Sequence, residues 1–346
     1  MFTVNGQAIG KRLPPYIIAE LSANHGGSIE RAKASIQAAK AAGASAVKIQ
    51  SYTPDTMTID CDKPDFQIKS GLWKGSSLYS LYKQAYTPYE WHQELFTYAA
   101  QIGITLFSSP FDETAVDLLA SLDAPAYKIA SFELTDIPLI EYTAKQKRPM
   151  FMSTGMASLA EIAEAVQACK QQGNDEILLF HCISSYPAPT EESNLLNITA
   201  IAKEFDVELG LSDHTISNLA AIMSIGLGAV AVEKHFKLDD KDCGPDASFS
   251  LLPSQLSSLV QDCQQASLAL GDGDFERTKA ESDNSKFRRS LYFVKDLPEG
   301  APITQDAVRR IRPGFGLAPK HLDKIMGQSL TKAVERGDPV TWDCFS

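Results

Sequence analysis

The chain has 346 residues, of which 44% are hydrophobic and 22% are charged, and its formal net charge is −11. This composition is typical of a globular protein with a sizeable core, and the length suits one large domain with a smaller one. Because a phosphate backbone needs a basic face, the acidic balance argues against nucleic acid as a partner, and without a run of about eighteen apolar residues we expect no membrane span. Six scattered cysteines without C-x-x-C spacing, and a start without a signal-peptide pattern, predict reduced thiols in a cytoplasmic protein.

Apolar runs alternate with amphipathic segments over residues 15–236. The runs predict eight strands, at 16–19, 46–50, 104–108, 126–130, 150–153, 177–181, 207–211 and 229–232. Helical periodicity predicts helices at 29–42, 89–101, 113–121, 138–147, 159–172, 195–205, 217–227 and 254–270. Eight such repeats in about 250 residues favour a (β/α)8 TIM barrel in the α/β class. A doubly wound open sheet is the alternative, without the G-x-G-x-x-G that its commonest dinucleotide-binding version carries after the first strand.

Two long insertions interrupt this pattern, at residues 53–88 and 237–250. Loops of this length in a compact domain usually cover a binding site or form an interface. The first is rich in aromatic residues, among them Trp73, and the second contains Gly244, Pro245 and Asp246.

The composition changes after Leu270, where glycines and a charged run predict a linker. We therefore divide the chain into a barrel domain at 1–275, a linker at 276–289 and a small domain at 290–346. A domain of about sixty residues is near the lower size limit for independent folding, so docking on a barrel would stabilise it.

Two histidines follow neighbouring strands of the predicted barrel. His214 lies in the run GLSDHT at 210–215, and His235 lies in the run AVEKHF at 231–236. Neighbouring strands are about 4.8 Å apart, and in this fold the carboxyl ends of the strands carry the chemistry. The two imidazoles could share one divalent metal ion, although a single histidine after a strand is more often a core or capping residue.

Other polar residues fall at the same predicted rim: Glu20, Lys48, Gln50, Ser108, Ser109, Lys128, Ser131, Glu133, Ser153, His181, Ser184 and Tyr186. Two lysines with several hydroxyls suit a compact dianion such as a phosphate or a phosphorylated enol carboxylate. Glu20 is placed to act as a base or proton carrier. Each lysine could instead form an ordinary ion pair, and Lys48 or Lys128 could be the Schiff-base lysine of an aldolase.

Several runs together resemble the sialic-acid synthase family: AELSANHG at 19–26, VKIQ at 47–50, SSPFD at 108–112, KIAS at 128–131, GLSDHT at 210–215 and EKHF at 233–236. The resemblance extends over the whole chain, since IRPGFG at 311–316 is similar to the antifreeze-like (SAF, β-clip) domain of that family. Each run alone is weak, and the combination is specific.

The resemblance implies a metal-dependent condensation of phosphoenolpyruvate with an amino-sugar aldose, which gives a nine-carbon 2-keto-3-deoxy sugar acid and phosphate by C–O cleavage. It implies a domain-swapped homodimer and a cofactor of Mn²⁺, Co²⁺ or Mg²⁺. By matching positions, Glu20 resembles the catalytic acid/base, and His214 and His235 resemble the metal ligands. Residues that resemble the phosphoenolpyruvate site are Lys48, Ser109, Lys128, Ser131, Ser153, Ser184 and Ser212. Residues that resemble sugar or metal-water contacts are Gln50, Phe132, Glu133, Tyr186 and Asp246, with Arg312 reaching into the partner subunit's site.

Within the family, details such as ASFE at 130–133 and TPYEWH at 87–92 are more similar to the pseudaminic acid branch than to the N-acetylneuraminate branch. The sugar of the first branch carries a methyl group and a second N-acetyl group, so we expect an apolar pocket near Phe132 and Trp73. The alternatives are N-acetylneuraminate synthesis from N-acetylmannosamine and, more remotely, a non-enzymatic carbohydrate-binding protein.

Overall fold

A computed structural model describes residues 1–241 and 244–345, and the chain forms two compact units, Met1–Gly271 and Asp272–Ser346. The strands of the first unit are β1 Phe2–Val4, β2 Gln7–Ile9, β3 Tyr16–Glu20, β4 Ala46–Ser51, β5 Thr105–Pro110, β6 Tyr127–Ile129, β7 Met150–Ser153, β8 Ile177–Cys182, β9 Glu208–Asp213 and β10 Ala231–His235. Its helices are α1 Ile29–Ala41, α2 Pro54–Met57, α3 Leu78–Ala85, α4 Tyr89–Ile102, α5 Glu113–Ser121, α6 Ile137–Ala144, α7 Leu159–Gln171, α8 Leu196–Glu204, α9 Leu219–Gly226 and α10 Pro253–Leu270.

Strands β3 to β10 pair in parallel in chain order, and β10 pairs with β3 to close the barrel. The predicted (β/α)8 fold is therefore confirmed. The predicted strands and helices agree with the observed ones to within a few residues. The clearest shift is at β9 and β10, which extend to Asp213 and His235 because the polar residues there continue the parallel pairing.

Aromatic side chains fill the barrel interior. The ring of Phe151 packs edge-on against those of Phe107 and Phe180, with centroids 5.3 and 5.9 Å away. The hairpin of β1 and β2 adds Phe2 and Ile9 to this interior cluster, so it closes the amino-terminal end of the barrel. The charged side chains of the barrel interior lie above this aromatic layer, at the carboxyl end.

Between the strands and the helices lie two large apolar clusters, which hold the helices on the barrel. Local sequence signals position the helix starts. Asp112 accepts hydrogen bonds from two backbone N–H groups at the start of α5, and Ser158 forms a reciprocal capping box with Glu161 at the start of α7.

The insertion at 53–88 contains the short helices α2 and α3. Tyr52 at the end of β4 packs edge-on against Tyr82 of α3 and against Phe111, with ring centroids 5.9 and 5.3 Å apart. The indole N–H of Trp73 donates to the carbonyl oxygen of Pro245 at 3.2 Å, so the two long insertions are in contact. Together they lie over the carboxyl end of the barrel.

The second unit contains an antiparallel pair, β11 Ser290–Phe293 and β12 Val308–Ile311, with short helices α11 Lys279–Ser282 and α12 Leu322–Ile325. Its own core includes Leu291, Phe293 and Val340. The predicted linker, 276–289, falls within this unit and contains α11. None of the helices in the described ranges is long and apolar enough to cross a membrane.

Candidate active site

A carboxylate lies between two lysines inside the barrel. In β10 the side chains alternate, so Ala231, Glu233 and His235 face the interior. Lys128 Nζ of β6 lies 3.0 Å from both carboxylate oxygens of Glu233, and Lys48 Nζ of β4 lies 3.4 Å from one of them. All three side chains are buried. An isolated charge would be costly here, so the three groups stabilise one another's charged forms.

Glu20 extends this cluster toward the mouth of the barrel. Its carboxylate lies 3.0 Å from Lys48 Nζ and accepts a hydrogen bond from Gln50 Nε2 at 3.2 Å. Gln50 also donates to Ser22 Oγ at 3.0 Å, and Ser22 donates to Asp246. A continuous line of polar contacts therefore joins the catalytic candidates on β3 and β4 to the second insertion.

The two glutamates have opposite protonation tendencies. Burial raises the pKa of Glu20 to about 7, which exceeds the opposing effect of Lys48. Burial also acts to raise the pKa of Glu233, but the adjacent ammonium groups of Lys128 and Lys48 outweigh it and hold that pKa at about 2. Glu233 is thus a permanent anion, whereas Glu20 can gain or lose a proton near neutral pH.

His214 and His235 come together as the sequence predicts, with ring centroids 5.4 Å apart. His214 Nδ1 lies 2.9 Å from the carbonyl oxygen of Ile183, which fixes this nitrogen as a donor. Burial acts to lower the pKa of His214, but the adjacent Cys182 and the Ile183 carbonyl outweigh it and raise that pKa, so a cation that binds Nε2 would displace a proton there. Burial lowers the pKa of His235 well below its usual value, and the neighbouring His214 acts in the same direction. His235 is therefore suited to binding a cation through a nitrogen lone pair.

The donor set around these rings fits a divalent metal ion with open coordination positions. The buried Nδ1 of His235 has no hydrogen-bond partner among the described residues, and it lies 3.8 Å from Asp246. Two imidazoles with a nearby carboxylate suit a first-row divalent ion. Within the described ranges, no three His, Cys, Asp or Glu side chains converge as a metal-binding group, so remaining ligands would come from water or substrate.

Hydroxyl groups line the wall at the ends of β6, β7 and β8. Ser131 Oγ accepts a hydrogen bond from the backbone N–H of Gly155 at 3.2 Å, while the buried Ser184 Oγ has no partner in the described part of the chain. A Cβ added at Gly155 would lie 2.2 Å from Ser184 Oγ and 2.7 Å from Ser131 Oγ. Only glycine therefore lets both hydroxyls pack this closely against the backbone. The two form a hydroxyl pair that could donate hydrogen bonds to the oxygen atoms of an anion. Ser153 is buried at the end of β7, two residues before Gly155.

The remaining serines of the predicted anion site contact the charged cluster directly. Lys48 Nζ donates to Ser109 Oγ at 3.3 Å, and Ser212 Oγ donates to Glu233 at 3.1 Å. The cluster therefore includes residues from strands β3, β4, β5, β6, β9 and β10.

The side of the site near the histidines is aromatic. The ring of Tyr186 lies 4.3 Å from that of His214 and 5.8 Å from Trp73, measured between centroids. Glu133 is partly buried, and burial raises its pKa to about 7. Phe132 is 62% exposed at the rim. Arg312 is exposed in the second unit, after β12.

Two polar residues that the sequence placed at the rim face away from the barrel interior. His181 Nε2 donates to the carbonyl oxygen of Ser193, outside the barrel, at 2.7 Å. Ser108 pairs with Ser51 at 2.6 Å beneath α4. Strand alternation explains both cases, because each residue is next to an inward-facing one. The sequence analysis also gave no role to Glu233, although its position two residues before His235 places it on the same face.

Comparison with known proteins identifies the family of the chain. A profile described as the NeuB family matches residues 35–275. The chain belongs to the NeuB family. A second profile, described as the SAF domain, matches residues 288–346. The resemblance seen in the sequence motifs is thereby confirmed for both parts of the chain.

Three relatives illustrate the range within and around the NeuB family. Pseudaminic acid synthase of Campylobacter jejuni strain 81-176 is 44% identical over 323 residues, which cover 93% of this chain and 94% of the relative. Pseudaminic acid synthase of Helicobacter pylori strain 26695 is 41% identical over 331 residues, which cover 95% of this chain and 97% of the relative. The crystal structure of N-acetylneuraminic acid (sialic acid) synthetase from Leptospira borgpetersenii, in complex with citrate, matches with a TM-score of 0.74 at 28% identity, covering 82% of this chain and 94% of the other.

Proposed function

We propose that this NeuB family member condenses phosphoenolpyruvate with 2,4-diacetamido-2,4,6-trideoxy-L-altrose to give pseudaminic acid and phosphate. The observation that carries the proposal is the buried cluster of Lys48, Lys128 and Glu233 beside a titratable Glu20, in a chain 44% and 41% identical to two pseudaminic acid synthases. This assigns the chain to the transferases.

The lysines and the hydroxyl pair of Ser131 and Ser184 would bind phosphoenolpyruvate. Two ammonium groups share one fully ionised carboxylate, Glu233, so the cluster has surplus positive charge whenever Glu20 is protonated. A compact anion with carboxylate and phosphate groups would be attracted to it. Ser131 and Ser184 would donate hydrogen bonds to its peripheral oxygens.

Carbon–carbon bond formation needs the enol carbon of phosphoenolpyruvate to attack the aldehyde carbon of the open-chain sugar. Water then adds at C2, and the C–O bond to phosphate breaks, which releases phosphate and leaves the keto group. Glu20 is a suitable proton carrier for these steps, since its pKa of about 7 allows both protonation states near neutrality. Gln50 holds the carboxylate of Glu20 in place.

His214, His235 and water would hold a divalent metal ion, with Mn²⁺, Co²⁺ and Mg²⁺ all compatible with these ligands. When bound, such an ion would polarise the sugar aldehyde. Asp246 and Tyr186 would orient the sugar beside the histidines, and Phe132 and Glu133 would contact it from the rim.

The proposal is tested by measuring phosphate release from phosphoenolpyruvate with Mn²⁺, using the diacetamido sugar and N-acetylmannosamine in parallel. We expect release with the diacetamido sugar alone. Release with N-acetylmannosamine alone would move the chain to N-acetylneuraminate synthesis and leave the site assignments standing. Release with neither sugar, from folded protein loaded with metal, would contradict the proposal.

We also propose that the active form is a domain-swapped homodimer in which Arg312 of one subunit completes the site of the other. The proposal rests on the SAF domain match, on the exposure of Arg312 and on the family resemblance. Mixing Arg312→Ala protein with Glu20→Ala protein should restore part of the activity, because a mixed dimer contains one intact site. No recovery despite demonstrated subunit exchange would contradict it. A cytoplasmic location is proposed from the cysteine pattern, and cell fractionation tests it.

A further inference from the structure

Lys234 is a buried lysine outside the barrel interior. It lies between the inward-facing Glu233 and His235, so alternation turns it outward, beneath the helices. Its outward-facing neighbours on the strand, Val232 and Phe236, belong to the apolar cluster that α9 and α10 cover. Lys234 itself is only 1% exposed. A lysine is rarely found in such a layer unless its charge is paired and its hydrogen bonds are satisfied.

All three N–H groups of this ammonium have acceptors. Lys234 Nζ donates to Asp213 Oδ2 at 2.6 Å, to the carbonyl oxygen of Thr215 at 2.6 Å and to that of Ser217 at 2.9 Å. Asp213 is its partner in the parallel register and is also buried. The second carboxylate oxygen of Asp213 accepts the backbone N–H of Thr215 at 2.8 Å.

These contacts fall on both sides of His214. The segment 213–217 connects β9 to α9, and it is held at Asp213 before the histidine and at Thr215 and Ser217 after it. The ring of His214 has a separate restraint, since its Nδ1 lies 2.9 Å from the carbonyl oxygen of Ile183. The backbone and the ring of His214 are therefore positioned by different groups.

We propose that Lys234 is a positioning residue for His214. Its ammonium group, paired with Asp213, fixes the backbone of the segment 213–217, and it thereby holds the His214 imidazole toward the cluster inside the barrel. The lysine touches neither substrate nor metal. The inference rests on the proposed function only through the role given to His214 there.

The single substitution Lys234→Met would have two effects at once. It would remove the ammonium contacts to the segment 213–217, and it would leave the Asp213 carboxylate buried without its partner. The double variant Lys234→Met, Asp213→Asn removes both charges at similar volume and is the informative one. Leu119→Ala is the matched stability control. Leu119 is fully buried on α5, which belongs to a different apolar cluster, so its truncation lowers the melting temperature without altering the segment 213–217.

The first measurement is amide hydrogen exchange, by mass spectrometry, of peptides covering 213–218. The second is Mn²⁺ binding to the protein alone, by electron paramagnetic resonance. In the double variant we expect exchange in this segment to rise at least roughly 10-fold, and the Kd for Mn²⁺ to rise about 10- to 100-fold, which is the usual effect of removing groups that orient a metal ligand. Leu119→Ala should change neither the exchange of this segment nor the Kd for Mn²⁺, although its melting temperature falls at least as far as that of the double variant.

Unchanged exchange of 213–218 in the double variant would overturn the positioning role, whatever happens to activity. Increased exchange with unaltered Mn²⁺ affinity would also overturn it. The segment would then have been loosened without any effect on the metal binding assigned to His214. If the wild-type protein binds no Mn²⁺, the metal role in the proposed function fails. This inference is then decided by the exchange of the segment and by the rotamer of His214 in a crystal structure of the double variant.

Discussion

Lys128 Nζ lies at 3.0 Å from each of the two carboxylate oxygens of Glu233, inside the barrel and away from solvent. The two residues are 105 positions apart in the sequence and come from β6 and β10. This symmetric contact neutralises one lysine, while Glu233 also reaches Lys48. The proposed anion site therefore depends on a carboxylate that would not itself bind the anion.

Glu233→Gln should damage both stability and activity. The substitution keeps the shape of the side chain but removes the charge that compensates two buried ammonium groups. Breaking a buried ion pair by neutralising one partner typically costs about 3–5 kcal/mol. We expect a matching loss in the free energy of unfolding, measured by denaturant titration, and a fall of roughly 100-fold or more in kcat.

The matched control is Glu208→Gln. Glu208 lies at the start of β9 and pairs with the amino terminus of the chain at 2.8 Å. It is at the other end of the barrel and does not contact the lysine cluster, so kcat should stay within about 2-fold of the wild-type value. Equal losses of kcat in both variants would contradict the role given to Glu233.

Glu20 should make stability fall as pH rises. The pKa of Glu20 is raised by burial from 4.5 to about 7, so between these values the folded protein holds a proton that the unfolded chain has released. The stabilisation is complete below the unfolded pKa and is lost as pH rises through the folded one. The difference of about 2.5 pKa units corresponds to about 3 kcal/mol.

We expect the melting temperature of wild type, relative to Glu20→Gln, to decrease from about pH 5 to about pH 8. The same substitution should remove a limb near pH 7 from the pH profile of kcat, if Glu20 carries the proton in the reaction. If the melting temperatures of the two proteins change with pH in the same way across this range, the pKa of Glu20 is not raised.

Gly155→Ala should weaken phosphoenolpyruvate binding. The added methyl group would lie 2.2 Å from Ser184 Oγ and 2.7 Å from Ser131 Oγ, so both hydroxyls must turn away from their present positions. We expect the KM for phosphoenolpyruvate to rise roughly 10-fold, in proportion to the loss of one or two hydrogen bonds. The KM for the sugar should change less.

Gly226→Ala is the control for this substitution. Gly226 ends α9, and a Cβ there would meet no atom within 4 Å. Alanine should raise the free energy of unfolding by about 0.5–1 kcal/mol and leave both KM values unchanged. An unaltered KM for phosphoenolpyruvate in Gly155→Ala would mean that the hydroxyls of Ser131 and Ser184 do not bind the anion.

Phe132→Ala should change sugar preference. Phe132 is 62% exposed at the rim, where an apolar face would pack on the methyl or second acetamido group of the proposed substrate. Loss of this contact should raise the KM for the diacetamido sugar by roughly 10-fold, the effect of about 1–3 kcal/mol of apolar burial. Leu268→Ala, at a residue that is 76% exposed on α10, serves as the control. An unchanged sugar preference in Phe132→Ala would remove this residue from the sugar site.

The order of elements followed from the sequence because hydrophobic periodicity is a local signal. The eight strands and their helices were readable from it. So were the positions of Glu20, His214 and His235 at strand ends and of Lys48 within a strand. The N-terminal hairpin was missed, since its two strands have only three residues each and pack on a barrel interior that the sequence does not display.

The direction of each side chain was decided by tertiary structure. The side chains in a strand alternate, so an error of one residue in register exchanges the interior for the exterior, and this is why His181 was wrongly placed at the site. The pairing of Glu233 with Lys48 and Lys128 was likewise undetermined by the sequence. It depends on contacts across the barrel between distant strands, and it is closure of the sheet that brings these charges within 3.4 Å of one another. Local pattern thus determined which residues stand at the strand ends, and barrel closure determined which of them meet.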